Sequence, residues 1–283
     1  MNKFLSYAEN LSNASAVLGD SDISNSYNEA LILLSHAASL TKEQIISKLN
    51  ESVVSEIHDK FMNLVARRGK HEPLAYIVGH KEFWSLNFAV SEATLIPRSD
   101  SEILVESVLK FCPQDQVYNI LDMGTGSGCL LLSILHELPR ALGSGIDIST
   151  SAIEVARQNA SNLNLSSRAN FINIAWGSFA LSDFNIVISN PPYIEKEQIK
   201  YLEQEVHFEP ITALDGGIDG LYCYKEIISL LPNLATPDFK GFFEIGYGQS
   251  EAVCALLEEA GFHVVGIEKD LSTIPRVIIF TNQ

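Results

Sequence analysis

Four consecutive residues, Asn190-Pro191-Pro192-Tyr193, follow directly on the apolar run 184–189, and their types suit the capture of an amino or amide group. Two successive prolines have no backbone N–H and a fixed φ, which leaves the carbonyls of Asn190 and Pro191 able to face out of a strand end. An –NH2 group arriving there can donate one hydrogen to the Asn190 side-chain oxygen and the other to the Pro191 carbonyl. A planar amide or aminopurine nitrogen is a poor nucleophile because its lone pair is delocalised. Its main needs are orientation and acceptance of both protons while charge develops during attack, and no strong general base is required. Asn190 and Pro191 are the candidate catalytic residues. Asn190, Pro191, Pro192 and Tyr193 are the candidate substrate-binding set, Tyr193 offering a ring that can wall a planar group. The plain alternative is a Pro-rich turn without chemistry.

A second constellation, Asp122-Met123-Gly124-Thr125-Gly126-Ser127-Gly128, leads from a buried strand straight into Cys129-Leu130-Leu131-Leu132. Glycines at a strand-to-helix turn let the backbone bend tightly and let a ligand approach the main chain, at the sheet edge where open α/β folds bind ligands. Asp147 ends the next strand about 20 residues later, where a carboxylate can accept both hydroxyls of a ribose. The spacing is G-x-G-x-G, since Cys129 follows Gly128, so the G-x-G-x-x-G fingerprint of pyrophosphate binding is absent. It resembles motif I of the class I S-adenosylmethionine-dependent methyltransferases, whose loop cradles the methionine and sugar of the cofactor. The sulfonium methyl of that cofactor is already an activated electrophile, which matches a site that only orients an amide.

Positioning these two clusters requires a sheet. From residue 97 onward short apolar runs alternate with helical periodicity: helix 103–109, strand 117–123, helix 130–137, strand 145–148, helix 152–163, then strands 171–174 and 184–189. Helices 222–231 and 251–260 and strands 242–245, 263–268 and 277–280 complete a pattern that signals a parallel α/β sheet. Upstream, residues 26–68 carry apolar side chains at helical spacing and read as a small bundle, with Thr41 and Gln44 forming a capping box. Pro73 ends that pattern, and the aromatic and β-branched stretch 82–90 reads as a connecting hairpin. The expected division is an N-terminal helical domain 1–72, a hairpin 73–95 and a catalytic domain 96–283.

The chain has 283 residues, 46% of them hydrophobic, and a net charge of −16. Residues 1–72 hold 7 basic and 9 acidic side chains, so −14 belongs to the remainder. Such a surface repels phosphate backbones, and no broad nucleic-acid surface is expected. Cys112, Cys129, Cys223 and Cys254 form no C-x-x-C or Cys/His grouping, which argues against zinc or a disulfide framework. With polar residues at the start and no apolar run near the roughly 20 residues of a membrane span, a cytoplasmic location and no membrane contact are expected. A monomer is the working expectation.

With both clusters read, the chain resembles the PrmC/HemK family of release factor glutamine methyltransferases over nearly its whole length. The resemblance is carried also by Pro73-Leu74-Ala75-Tyr76-Ile77, Glu82-Phe83-Trp84, Thr94-Leu95-Ile96-Pro97-Arg98, Glu209-Pro210, Ala213-Leu214, Gly216-Gly217 and Asp219-Gly220-Leu221. It implies a Rossmann-like class I methyltransferase fold with a mostly parallel seven-stranded sheet, and N(5) methylation of the glutamine in the Gly-Gly-Gln motif of class 1 peptide chain release factors. Gly124, Thr125, Gly126, Ser127, Gly128, Asp147, Trp176 and Asn190 would bind S-adenosylmethionine, Trp176 lying beside the adenine. The helical module would help recognise the release factor. Ser99, Ser101 and Thr273 depart from the family pattern, Thr273 standing where glycine is frequent. Arg98 and Glu102 either line the site or, in the plain reading, brace the hairpin or cap the first helix; Glu244 has no assigned role, and Gly216, Gly217 and Gly220 shape a neighbouring loop. The rival acceptors are the amino groups of adenine N(6) or guanine N(2) in DNA or RNA, which similar tetrapeptides receive from flipped bases. A non-catalytic adaptor is a further alternative.

Overall fold

Ser6 opens the first helix with a capping box: its hydroxyl accepts from the Glu9 amide, while the Glu9 carboxylate accepts from the Ser6 amide at 2.7 Å. The helix so started, α1 (Tyr7–Asp20), buries Tyr7, Leu11, Ala14 and Leu18 on one face. Helices α2 (Ser26–Ala38), α3 (Lys42–Ser47), α4 (Ser55–Arg68) and α5 (Leu74–Val78) follow. The capping box expected from Thr41 and Gln44 opens α3. The computed structural model describes residues 5–179, 184–233 and 235–282. Residues 1–4, on which the reading of the chain's start rests, lie outside them.

Two compact units result, Met1–Gly79 with Glu203–Phe208, and His80–Leu202 with Glu209–Gln283. In the first, the helices close over a core that includes Leu11, Leu33, Leu34 and Phe61. Arg68 is the last residue of α4. Its guanidinium is buried and donates to Glu29, Glu205 and the Glu72 carbonyl. Sequence periodicity missed α1, whose apolar face is diluted by alanine and serine, and α5, which starts behind Pro73 rather than ending there.

The second unit opens with a hairpin, β1 (His80–Phe83) and β2 (Leu86–Ala89), paired antiparallel across Trp84-Ser85. Both turn residues have positive φ, the geometry that matches the twist of a two-residue hairpin. Then come α6 (Glu102–Phe111), β3 (Asn119–Met123), α7 (Cys129–Glu137), β4 (Leu142–Asp147), α8 (Thr150–Asn162), β5 (Ala169–Asn173) and β6 (Phe184–Ser189). α9 (Tyr222–Leu230), β7 (Ala235–Glu244), α10 (Ser250–Glu259), β8 (Phe262–Lys269) and β9 (Pro275–Asn282) complete the chain. The seven strands lie in the order β5-β4-β3-β6-β7-β9-β8, with β9 antiparallel to both its neighbours. Two apolar cores cover the two faces, one containing Leu104, Leu131, Ile134 and Ile153, the other Tyr224, Ile227, Phe243 and Val253. The strand order reverses between β3 and β6, so their carboxyl ends diverge into a crevice.

Candidate active site

The glycine cluster leaves the carboxyl end of β3 and the tetrapeptide leaves the carboxyl end of β6, one on each side of the crevice. The Ser189 hydroxyl donates to the Met123 carbonyl at 2.6 Å, tying the two strand ends together immediately before both motifs begin. A cavity of about 420 Å³ opens there, a size typical of small-molecule sites. Gly124, Thr125, Gly126, Ser127, Asp147, Trp176, Asn190 and Pro192 line it, all expected from the sequence. Gly128, Pro191 and Tyr193 were expected as well but are not among the lining residues.

The loop is held from within. The amides of Gly124 and Thr125 donate to the Ile146 carbonyl at 2.9 and 3.0 Å, and the Gly126 amide donates to Asp147 Oδ2 at 2.9 Å. With those amides committed, the loop is not an anion nest, in accord with the missing pyrophosphate fingerprint. Gly128 serves packing: at φ +78°, a Cβ there would lie 3.1 Å from the Phe171 ring and 3.3 Å from Ala156. Below the loop, Asn159 of α8 is fully buried and donates to the Ser127 and Ala89 carbonyls while accepting from the Ala89 amide. One side chain thus fixes the loop to the hairpin. The Thr125 hydroxyl donates to Asp122 Oδ2 at 2.6 Å, and Asp122 Oδ1 has no partner. Burial pushes Asp122 up to about 7 against that hydrogen bond, with the charge of Asp147 adding to the rise.

Asp147 aims its carboxylate along the cavity wall. Oδ2 accepts from Gly126 and Oδ1 from the Ser149 amide at 2.8 Å, which leaves each oxygen a second lone pair for a vicinal diol. Burial raises its pKa, and its backbone donors oppose the rise. The Trp176 ring stands over the loop, close enough that a Cβ on Gly124 would touch its Cζ2 at 3.5 Å. A zwitterionic nucleoside with a planar base, a ribose and a cationic centre fits this donor set: an aromatic face, a diol acceptor and an acid-rich, anion-averse loop. Cys129, also on the cavity wall, is pushed up to about 12 by burial and is therefore no nucleophile at neutral pH.

Asn190 brings its side-chain amide to the rim, with Nδ2 donating to Ser101 Oγ at 3.3 Å. The backbone behind the tetrapeptide is clamped. Gln249 Nε2 donates to the Tyr193 carbonyl at 3.0 Å and to the Gly220 carbonyl at 3.2 Å, while its Oε1 accepts from Gly246. Gly216 and Gly220 pass so close that a Cβ on either would lie 2.7 Å from Tyr193 Cα or 2.5 Å from its carbonyl oxygen. The loop carrying them therefore sits beside the site, as expected, and its glycines are required by that approach. Burial raises the Tyr193 phenol, helped by the charge of Glu244.

Arg98 and Glu102 part company. Arg98 lines the cavity and its guanidinium pairs with Glu209, whose carboxylate is buried and also accepts from the Ile96 amide at 3.2 Å. Glu102 instead accepts from the Trp84 amide at 2.7 Å and braces the hairpin turn.

The PrmC N-terminal domain family matches residues 9–79, and the methyltransferase small domain family matches residues 99–209. The release factor glutamine methyltransferase of Caulobacter vibrioides is 40% identical over 93% of this chain and 91% of its own. The chain belongs to the release factor glutamine methyltransferase family. The Rhodospirillum rubrum member is 39% identical over 89% of this chain and 77% of its own. Among solved structures, the catalytic domain of hMettl16 in complex with a 3′UTR hairpin superposes with a TM-score of 0.53 at 15% identity. It covers 78% of this chain and 82% of that one and shows the shared class I methyltransferase fold.

Within this family member, sequence reasoning assigned no role to Asn159, Glu209, Ser101 or Gln249, although Glu209 and Ser101 were noted against the family pattern. Asn159 did leave a signal, being an amide on the apolar face shared by Ile153, Ala156 and Ala160. Ser101 and Gln249 act through contacts with distant segments and leave no local pattern. Among the described residues no group of His, Cys, Asp and Glu could hold a metal ion, and no helix is long and apolar enough to cross a membrane.

Proposed function

We propose that this chain transfers the methyl group of S-adenosylmethionine to the side-chain amide nitrogen, N(5), of the glutamine in the Gly-Gly-Gln motif of class 1 peptide chain release factors. The observation that carries this reading is the Asn190 amide at the rim of a cavity floored by Gly124, Thr125, Gly126 and Ser127, with both strand ends joined by Ser189. When bound, the cofactor supplies an electrophilic methyl that needs no further activation. Asp147 holds the ribose hydroxyls, Trp176 faces the adenine, and Gly128 keeps the loop closed against Phe171 and Ala156. Asn190 Oδ1 and the Pro191 carbonyl accept the two amide protons of the glutamine, which orients the nitrogen and favours the positive charge it gains on attack. Pro192 and Tyr193 keep that backbone rigid beside the glutamine. The proton leaves the product nitrogen after transfer.

The helical unit, residues 1–72 in the division above, is assigned to recognition of the release factor, with the hairpin 73–95 joining it to the catalytic domain 96–283. The protein works as a monomer in the cytoplasm, and a sedimentation mass of twice the chain would overturn the first part of that statement. The net −14 outside residues 1–72 disfavours an exocyclic amino group of DNA or RNA as the acceptor. The test is to incubate the enzyme and labelled S-adenosylmethionine with a class 1 release factor, with the same factor carrying Gln→Ala in its Gly-Gly-Gln motif, and with total RNA and duplex DNA. Label on the first substrate alone is expected. Label on a polynucleotide alone would move the proposed acceptor to a base.

A further inference from the structure

β6 and β7 are parallel neighbours with Ser189 opposite Phe243, so the next residues, Asn190 and Glu244, emerge side by side at the carboxyl edge of the sheet. Glu244 is 3% exposed, and its Oε2 has no hydrogen-bond partner. The side chains of Ser101 and Asn190 are the hydrogen-bonding neighbours of its carboxyl group. Ser101 is itself buried and accepts from Asn190 Nδ2 at 3.3 Å. A buried carboxylate beside a substrate-binding amide, with one oxygen unsatisfied, is a costly arrangement for packing alone.

We propose that Glu244 and Ser101 are positioning residues that select the orientation of the Asn190 amide. The proposal rests on the reading of Asn190 as acceptor of the substrate amide. The two ends of an asparagine amide differ only in what they donate or accept. An ionised Glu244 only accepts, and a Ser101 hydroxyl that donates to it has a lone pair left for one N–H. Asn190 must therefore turn Nδ2 inward, which leaves Oδ1 facing the cavity to receive an N–H from the glutamine. A protonated Glu244 can donate, and the inverted amide, Oδ1 inward and Nδ2 outward, then becomes competitive. Inverted, Asn190 presents a donor to a donor and the site no longer accepts the substrate.

The environment makes that choice titratable near neutrality. Burial pushes Glu244 up to about 7; Ser101, Arg276 and Asn190 oppose the rise, and Asp100 adds to it. Arg276 reaches it from β9, Asp100 from the turn before α6, Tyr193 from the tetrapeptide, Tyr224 from α9 and Cys129 from α7. Arg276 is partly spent elsewhere, donating to Asp270 and pairing with Asp100, both at 2.9 Å. The Tyr224 hydroxyl is engaged with the Glu244 backbone carbonyl, not with its carboxylate.

The test uses the full chain, a class 1 release factor and S-adenosylmethionine, with Glu244→Gln, Ser101→Ala and Ser101→Thr. Expected are a fall in kcat of about tenfold or more for the first two, corresponding to about 1.4 kcal/mol or more of transition-state stabilisation, with cofactor affinity within about twofold. Ser101→Thr, which keeps a hydroxyl, recovers most of the rate lost in Ser101→Ala. The wild-type kcat rises with pH through about 7, and the Glu244→Gln profile loses that limb. A second readout needs no methyl transfer. The Asn190 side-chain NH2 resonances, identified by their loss in Asn190→Ala, shift with a midpoint near 7 in the wild type and hold still in Glu244→Gln. Full kcat in Ser101→Ala, an unchanged pH limb in Glu244→Gln, or Asn190 resonances indifferent to Glu244 would each overturn the proposal. Failure of the wild type to methylate the release factor, with the resonance shift present, would refute the assigned substrate and leave the amide selection standing.

Discussion

Replacing Gly220 by alanine strikes the tetrapeptide from behind, and the effect can be worked out from the local geometry. Gly220 has φ +69°, where an L-residue costs about 1–2 kcal/mol. Its new Cβ would also lie 2.5 Å from the Tyr193 carbonyl oxygen and 2.6 Å from Gln249 Nε2, so one of these must move. Moving either breaks the Gln249 clamp, whose two hydrogen bonds contribute about 1 kcal/mol each. Gly261→Ala is the matched control: φ is +89° and a Cβ meets nothing within 4 Å, so only the backbone cost applies. Gly220→Ala should therefore be less stable than Gly261→Ala by about 2 kcal/mol. For a unit of this size that is about 4–8 °C in thermal midpoint, read by differential scanning calorimetry. Because the displaced carbonyl lies three residues after Asn190, methyl transfer measured well below both midpoints should fall by about 10²-fold in Gly220→Ala, as for a shift near 1 Å, and stay near wild type in Gly261→Ala. Equal midpoints with equal rates would refute the view that this loop holds the tetrapeptide in place.

Other outcomes follow from the same geometry. Asp122 is held near 7 in the fold and ionises near 4 when unfolded, so its contribution is full below about 4 and is lost as pH rises towards 7. Denaturant titrations at pH 5 and pH 8 should show Asp122→Asn removing up to about 3 kcal/mol of that decline, and a slope unchanged by the substitution would count against a buried, protonatable Asp122. Trp176→Ala should raise the KM for S-adenosylmethionine by about tenfold, the loss of one base-stacking face, with little change in the KM for the release factor; equal effects on both would place the ring elsewhere. Thr273 has φ +65°, unfavourable for a β-branched residue, so Thr273→Gly should raise the thermal midpoint by about 2–4 °C despite removing a side chain. A lowered midpoint would mean that the threonine's contacts outweigh its backbone strain.

Much of the catalytic unit was legible because parallel strands buried on both faces read as apolar runs, while their helices read at a period near 3.6. The glycine turn, Asp147 and the tetrapeptide were legible for a different reason: each sits at a strand's carboxyl end, where residue type is set by chemistry and sharp backbone turns. α1 was missed because Ala14 and several serines dilute its stripe, although its Ser6-Glu9 capping box stood in plain view. The short α5 was missed because Pro73 reads as a stop when it can equally precede a start. Asp147 was expected only as a ribose acceptor, yet it also anchors the glycine loop through Gly126. Glu209, Gln249 and Ser101 work at sequence separations of 111, 56 and 89 residues from Arg98, Tyr193 and Asn190, and no local pattern encodes such meetings.

Peptide mass spectrometry of a purified class 1 release factor, after incubation with S-adenosylmethionine and either the wild-type enzyme or Asn190→Ala, bears most directly on the assignment of the tetrapeptide. One added methyl on the side-chain nitrogen of the Gly-Gly-Gln glutamine is expected with the wild type, and none with the variant, whose cofactor affinity should remain within a few fold. Methylation at full rate by Asn190→Ala, or a methyl found on any other residue, would contradict the assignment of the amide to this site.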